Sequence, residues 1–264
     1  MFLRLFTSAL LIPVLVASIW AGGVFLTVLM GITAAVATSE FGNLKKLSGD
    51  KPSILVAIIG TLLLICLVHN LPHSHLASWL ILELIAIISI VTVPLLIIKH
   101  RYCTNFLNIL ITVGILVYCG GLIAHSIALR NLDHGANWLY LVFSVTFIND
   151  TAALIFGKLF GSRLLIPSIS PNKTWEGALA GLVFSLMGCV AAFNLLNIPH
   201  DTWEPYTLGL IIAFAGQAGD LFISRLKRLA QVKDSGWIIP GHGGVLDRID
   251  SIVPSLVVVY YFAL

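Results

Sequence analysis

Charge is what this chain has least of. Only 10% of its 264 residues are Asp, Glu, Lys or Arg, where a soluble domain carries about 25%. That shortage excludes an ordinary water-facing surface. With 58% hydrophobic residues and a mean hydropathy of +1.00, a soluble fold would expose large apolar patches and aggregate, so the solvent is lipid. Cysteine is also sparse. Cys66, Cys103, Cys119 and Cys189 show no metal-like spacing and read as small apolar residues, which argues against a disulfide framework or a zinc site. The net charge is only +3 and no basic run stands apart from the apolar segments, so no nucleic-acid partner is expected. Polar linkers, low-complexity tracts and internal repeats are missing too, which leaves one polytopic membrane domain over residues 1–264.

A spanning helix needs about 20 largely apolar residues. Nine candidates follow, at roughly Leu5–Trp20, Gly22–Thr38, Ser53–His69, Ala77–Ile98, Asn105–Ala128, Trp138–Phe156, Gly177–Leu196, Tyr206–Ile223 and Val245–Leu264. The expected fold is therefore an all-α integral membrane protein of about nine transmembrane helices. The first two candidates are separated only by Ala21–Gly23, so a re-entrant hairpin or one bent unit competes with two full spans. Arg4 before an apolar run also fits a signal peptide; an uncleaved first span is preferred because the run continues almost to Thr38.

The few charges are placed unevenly. Numbering the spans puts Arg4, Lys45, Lys46, Lys51, Lys99, Arg101, Lys158, Arg163, Lys173, Arg225, Lys227, Arg228, Lys233 and Arg248 on one side, and only Arg130 on the other. Loops rich in Lys and Arg face the cytoplasm. The expectation is a multi-pass protein of the inner (cytoplasmic) membrane, with its N-terminus in the cytoplasm and its C-terminus on the far side.

The two richest of these loops also hold the only dense polar motifs. The first runs through Asn149-Asp150-Thr151, Gly157-Lys158 and Ser170-Pro171-Asn172-Lys173-Thr174-Trp175-Glu176-Gly177. The second runs from Gly219-Asp220 through Ser224-Arg225-Leu226-Lys227-Arg228 and Lys233-Asp234-Ser235-Gly236 to Gly241-His242-Gly243-Gly244-Val245-Leu246-Asp247-Arg248-Ile249-Asp250. If the eighth span continues as a helix, Asp220, Ser224 and Lys227 share a face at spacings of four and three. Asp247 and Asp250 are three apart at the start of the ninth. Carboxylates at membrane depth cost several kcal/mol unless paired or metal-bound. Hard oxygen ligands suit Mg²⁺, which takes one or two carboxylates and leaves the rest to water and phosphate. Glycines let backbone N–H groups approach a phosphate, and Lys and Arg supply further anion contacts. Acids, bases and glycines crowded together at a membrane surface point to a metal-bound polyphosphate meeting a lipid.

Each feature has a bland reading by itself: basic residues as headgroup anchors, glycines as turns, an Asp as a helix cap. Together they do not explain the crowding in a chain otherwise nearly free of charge. Competing motifs fail on context. Ser224-Arg225-Leu226-Lys227 has the S-x-x-K spacing without S-D-N or K-T-G, Gly157-Lys158 is followed by Leu159, and His242-Gly243-Gly244 lacks a G-x-S-x-G elbow. His73 and His75 fall in a short far-side loop without acidic partners.

The stretch Ser224–Asp250 resembles the motif of the phosphatidate cytidylyltransferases (CDP-diacylglycerol synthases): S-x-hydrophobic-K-R, four residues, K-D-x-G, then P-x-H-G-G-hydrophobic-x-D-R-hydrophobic-D. Ser170–Gly177 is similar to the family's S-P-x-K-T-W-E-G, and Asp150 with Ala153 and Gly157-Lys158 resembles its preceding aspartate helix. The resemblance is firm from about Phe147 to Ser251. Before that it rests on span number and a small Ser39-Glu40-Phe41 turn. Two positions depart from the pattern: Ile223 stands where the family often has Glu, and Ala152 replaces a commoner Gly.

The resemblance implies residues 1–140 as N-terminal helices and 141–264 as a catalytic region that joins CTP to phosphatidic acid, giving CDP-diacylglycerol and pyrophosphate. The lipid phosphate is already anionic, so charge neutralisation and positioning matter more than a general base. Mg²⁺ or a similar divalent cation is the implied cofactor. Asp220 and Asp247 are the first metal-ligand candidates, with Asp150 and Asp250 second. Lys173, Lys227, Arg228, Lys233 and Arg248 are phosphate-contact candidates, and Ser224, Asp234, Gly243 and Gly244 complete the nucleotide-binding set. His242 would steady pyrophosphate or donate a proton. The substrates and the bilayer are the expected partners, and the sequence allows a homodimer. Two other classes compete: a kinase or CTP transferase for another lipid phosphate such as a polyprenol phosphate, and an ion-coupled transporter using Glu83, Asp150 and Asp220 as a relay.

Overall fold

A computed structural model describes residues 2–44, 54–70, 105–239 and 243–264. Helices α1 (Phe2–Ala21) and α2 (Gly23–Gly42) meet at a break where Gly22 and Gly23 take φ of 64° and 46°. Those left-handed values suit glycine alone among unstrained residues, so the first two apolar segments are separate helices. Arg130 closes the break. Its Nε donates to the Ile19 carbonyl at 2.8 Å and its Nη2 to the Trp20 carbonyl at 3.2 Å. Arg130, the one Lys or Arg expected on the charge-poor side, thus caps the carbonyls that end α1, where a cation also complements the helix dipole. The expected Ser39-Glu40-Phe41 turn is instead helical, the last turn of α2.

Helix α3 (Ile54–Asn70) packs on α2, and the Thr38 and Thr61 hydroxyls meet between them at 3.3 Å. The expected fourth span, Ala77–Ile98 with Glu83, lies outside the described residues, as do His73 and His75. The segment read as one helix from Asn105 is α4 (Asn105–Leu116), a π-helical turn Val117–Gly121 and α5 (Leu122–Arg130). A π turn places one extra residue in a helical turn. Here it carries Tyr118, buried with its ring centroid 6.0 Å from Phe41 and 5.7 Å from Phe222.

The C-terminal half contains α6 (Gly135–Phe160), a hairpin of β1 (Leu164–Ile166) and β2 (Ser170–Thr174), α7 (Trp175–Leu195), α8 (Glu204–Leu229), the short α9 (Leu246–Ile249) and α10 (Ile252–Ala263). The antiparallel hairpin is a departure from the all-helical expectation, and the last long helix starts at Ile252 rather than Val245. Helix α6 packs along α7, α7 on α8, and α8 on α10, while α10 also covers α5 and α9 touches α2. Leu139, Leu141, Val142, Phe193, Leu208 and Ile212 fill this core with at most 1% exposure, whereas Leu179, Val183, Met187 and Phe214 point outward. Apolar residues inside and outside alike mark helices that bury one face on protein and offer the other to lipid. Among the described residues, five helical stretches are long and apolar enough to cross a membrane: Gly23–Gly42, Ile111–Arg130, Gly135–Phe160, Trp175–Leu195 and Glu204–Leu229. Three shorter apolar helices, Ala9–Ala21, Ile54–Asn70 and Ile252–Ala263, accompany them.

Candidate active site

Local chemistry fixes the loop that carries Lys173. Thr174 is extended (φ −121°, ψ 156°) and its hydroxyl accepts the Gly177 N–H at 3.2 Å, an N-cap that starts α7. Within the first turn, Glu176 accepts the Ser162 hydroxyl at 2.6 Å and the Arg163 N–H at 3.3 Å, which ties the end of α6 to the start of α7. The Ser170–Gly177 motif is therefore a strand followed by a capped helix start. It aims Lys173 at α8, where its Nζ lies 2.5 Å from Asp220 Oδ2.

Helix α8 does continue past the apolar stretch, to Leu229, and the expected face forms. Asp220 Oδ1 accepts the Ser224 hydroxyl at 3.2 Å, and Lys227, one turn on, reaches Asp247 Oδ1 at 2.6 Å. Arg228 Nε donates to the Ile169 carbonyl at 3.1 Å and so braces the hairpin against α8. Asp150 on α6 accepts the Ser251 hydroxyl at 2.8 Å. Asp250 is 7% exposed; its Oδ1 accepts the Ser251 N–H at 2.9 Å, while its carbonyl receives the Tyr118 hydroxyl at 3.4 Å. Asp150, Asp220 and Asp250 are close enough to oppose one another's charge. Burial and then the Asp220 charge lift the Asp250 carboxyl well above the ordinary carboxylate range, against the pull of Lys227.

Asp247 has a different environment. Besides Lys227 it accepts the Ser235 N–H at 2.9 Å and the Gly244 N–H at 3.2 Å, both on Oδ2. Burial alone would raise its carboxyl, but the Lys227 and Ser235 bonds outweigh burial and hold it below the usual range. Gly243 (φ 88°) exchanges backbone hydrogen bonds with Ile239 at 3.0 and 3.2 Å, closing the loop. The N–H groups of Gly243 and Gly244, expected to face phosphate, are thus engaged within the protein. Lys233, Asp234 and Arg248 are exposed at the rim, and His242 with Gly241 lies outside the described residues.

The sequence reading named Glu40 only within the Ser39-Glu40-Phe41 turn and gave it no part among the site residues. It is 3% exposed at the end of α2, and its carboxylate gathers three donors from the second motif: Val245 N at 3.0 Å, Leu246 N at 2.9 Å and Ser235 Oγ at 3.1 Å. A signal existed. Glu40 is an isolated acid closing an apolar run, and the cost of a carboxylate in such a setting, already applied to Asp220, demands a partner there as well. The departures at Ile223 and Ala152 are both buried apolar positions, 0% and 5% exposed, so the residues present suit their surroundings.

Among the described residues, no three His, Cys, Asp or Glu side chains are arranged to hold a metal by themselves. The carboxylate set nonetheless suits an ion that takes one or two carboxylates and completes its shell with water and phosphate, because Asp250 is buried beside two like charges and the opposing Lys227 is shared with Asp247.

These features define a helical membrane protein with a cluster of paired acids and bases at one end of the bundle. The chain matches the model of the cytidylyltransferase family over residues 2–264 and belongs to that family. It is 31% identical over 248 residues to the phosphatidate cytidylyltransferase of Staphylococcus aureus (strain COL), covering 94% of this chain and 93% of that protein. It is 32% identical over 263 residues to the phosphatidate cytidylyltransferase of Bacillus subtilis (strain 168), covering 98% and 96%.

Proposed function

We infer that this chain is a membrane-embedded phosphatidate cytidylyltransferase, a nucleotidyltransferase of phospholipid biosynthesis. The observation that carries the reading is similarity along nearly the whole chain to proteins named for that activity, and the acid–base cluster at the ends of α6, α8 and α9 supports it. A phosphatidate oxygen attacks the α-phosphorus of CTP, the bond between that phosphorus and the bridging oxygen to the β-phosphate breaks, and pyrophosphate leaves with the bond's electron pair. Two polyanions must be brought together, so the protein's task is to neutralise and align them. Lys173 and Lys227, each seated on a carboxylate, sit where exchange of that partner for a substrate phosphate puts a cation on the reacting groups. Arg228, Lys233 and Arg248 extend the basic rim towards CTP. His242 is assigned to the leaving pyrophosphate.

Mg²⁺, when bound, supplies charge neutralisation at phosphate oxygens. Asp220, on giving up Lys173, and Asp250, with Asp150, are the residues that would hold it, since Asp247 is held by Lys227 and by two backbone N–H groups. The chain is further read as nine spans with this site at the cytoplasmic ends, the N-terminus inside and the C-terminus outside, and a homodimer is its candidate assembly. The basic-residue asymmetry supports that orientation.

The test is purified protein with labelled CTP and a panel of lipid phosphates. CDP-diacylglycerol and pyrophosphate are expected only when phosphatidate is present. Turnover without lipid, preference for a polyprenol phosphate, or ATP-driven phosphorylation of a lipid overturns the reading. Cysteine labelling should place the Lys173 and Lys233 loops on the cytoplasmic face and the Asp201 loop on the other.

A further inference from the structure

We propose that Glu40 is a positioning residue that ties Ser235 and the Val245-Leu246 backbone to the end of α2 and so sets where Asp247 presents Lys227 to substrate, an inference that rests on the functional reading above. The geometry is that of a clamp. Ser235 gives its hydroxyl to Glu40 Oε2 and its N–H to Asp247 Oδ2, which makes it common to both carboxylates. Val245 and Leu246, the two residues before Asp247, give their N–H groups to Glu40. Asp247 completes the chain to Lys227, and Lys227 stands on the α8 face that carries Asp220 and Ser224. A carboxylate with this many donors holds one orientation, because rotating it away would strand buried N–H groups.

The glycines around Glu40 record the same fit. A Cβ at Gly236 would lie 2.5 Å from Glu40 Oε1, 2.8 Å from its Cδ and 3.0 Å from its Cγ, and nothing else is nearer. A Cβ at Gly244 would meet Glu40 Oε2 at 2.5 Å and collide with Ser235 Oγ. Gly236 of K-D-x-G and Gly244, the second glycine of H-G-G, therefore make room for the Glu40 carboxylate. The clamp joins residues about 200 positions apart and couples α2 to the reacting end of α8.

The experiment uses the full chain in detergent, with Glu40→Gln, Glu40→Ala, Gly236→Ala and the Gly236→Ala/Glu40→Ala pair. Three quantities are measured: trypsin cleavage after the exposed Lys233 without substrates, thermal melting, and kcat and KM for CTP and for phosphatidate. Glu40→Gln keeps the shape but turns an NH₂ towards N–H donors. It is expected to speed cleavage after Lys233 about tenfold with a melt within a few degrees, and to lower kcat/KM for CTP about 10- to 100-fold with the KM for phosphatidate unchanged. Gly236→Ala is expected to do the same in the native background and to add nothing once Glu40 is Ala. Should the Glu40 variants not melt cooperatively, Gly236→Ala carries the test alone, and a silent Gly236→Ala overturns the clamp. Unchanged cleavage and CTP kinetics in Glu40→Gln, an equal cost of Gly236→Ala with and without Glu40, or a lowered melt with normal kcat and KM all overturn the proposal. Faster cleavage in variants of a chain that never turns over CTP upholds the clamp and sinks the functional reading instead.

Discussion

The carboxylates at the polar end of the bundle fall into two sets with opposite treatment. Glu40 and Asp247 are satisfied: donors from Ser235, Gly244, Val245, Leu246 and Lys227 occupy their oxygens. Asp150, Asp220 and Asp250 face one another's charge, offset only in part by Lys173 on Asp220 and by Lys227, and Asp250 is buried while it does so. The first set stabilises a loop. The second is kept in electrostatic tension, which a folded protein tolerates where a ligand relieves it.

The largest effect that separates the two sets is on rate. Asp220→Asn and Asp250→Asn are each expected to lower the initial rate about 100- to 1000-fold and to flatten its dependence on Mg²⁺; Asp250→Asn should leave the melt unchanged or raised, and Asp220→Asn, which frees the partly exposed Lys173, should change it little. Rates and melts near normal in both would remove the tension set from the chemistry.

Asp247→Asn should reverse the pattern. It leaves the Lys227 ammonium, whose side chain is 13% exposed, without its counter-charge, and breaking such a pair costs about 3–5 kcal/mol. A lower melt with a loss of rate is expected. An unchanged melt with the rate lost would move Asp247 into the metal-facing set.

Acid should act on Asp247 and Asp250 with opposite sign. Asp247 has a depressed carboxyl, so its stabilisation is complete above the ordinary value of about 3.9 and fades as pH falls through its lower folded value. Asp250 has a raised carboxyl, so its ionisation opposes folding at neutral pH, and stability returns as pH falls through that raised value towards the ordinary one. Melts of the native chain and of Asp250→Asn from neutral pH down to about 4 test this. The native melt should rise on acidification, and the gap to the variant should narrow.

The smallest effect belongs to a residue outside both sets. Arg130→Gln removes the clamp on Ile19 and Trp20 at the opposite end of the bundle. About 1–2 kcal/mol of stability should be lost, with the rate of the folded protein unchanged. A changed rate would show that the far end of α1 communicates with the site.

Lipid as solvent, the polar end of the bundle, the family and the common face of Asp220, Ser224 and Lys227 were all legible in the sequence. Each is carried by composition or by a period of a few residues that local geometry enforces. The tertiary structure alone decided which acid meets which base. Lys173 pairs with Asp220 and Lys227 with Asp247, although both lysines and both acids belonged to motifs that allow other pairings. It also decided that Glu40 takes the Val245 and Leu246 N–H groups and that a π turn brings Tyr118 to Asp250. Partners so far apart along the chain leave no periodic trace in it. Their hydrogen bonds exist only once packed helices bring the groups within about 3 Å, and that distance is set by the whole bundle.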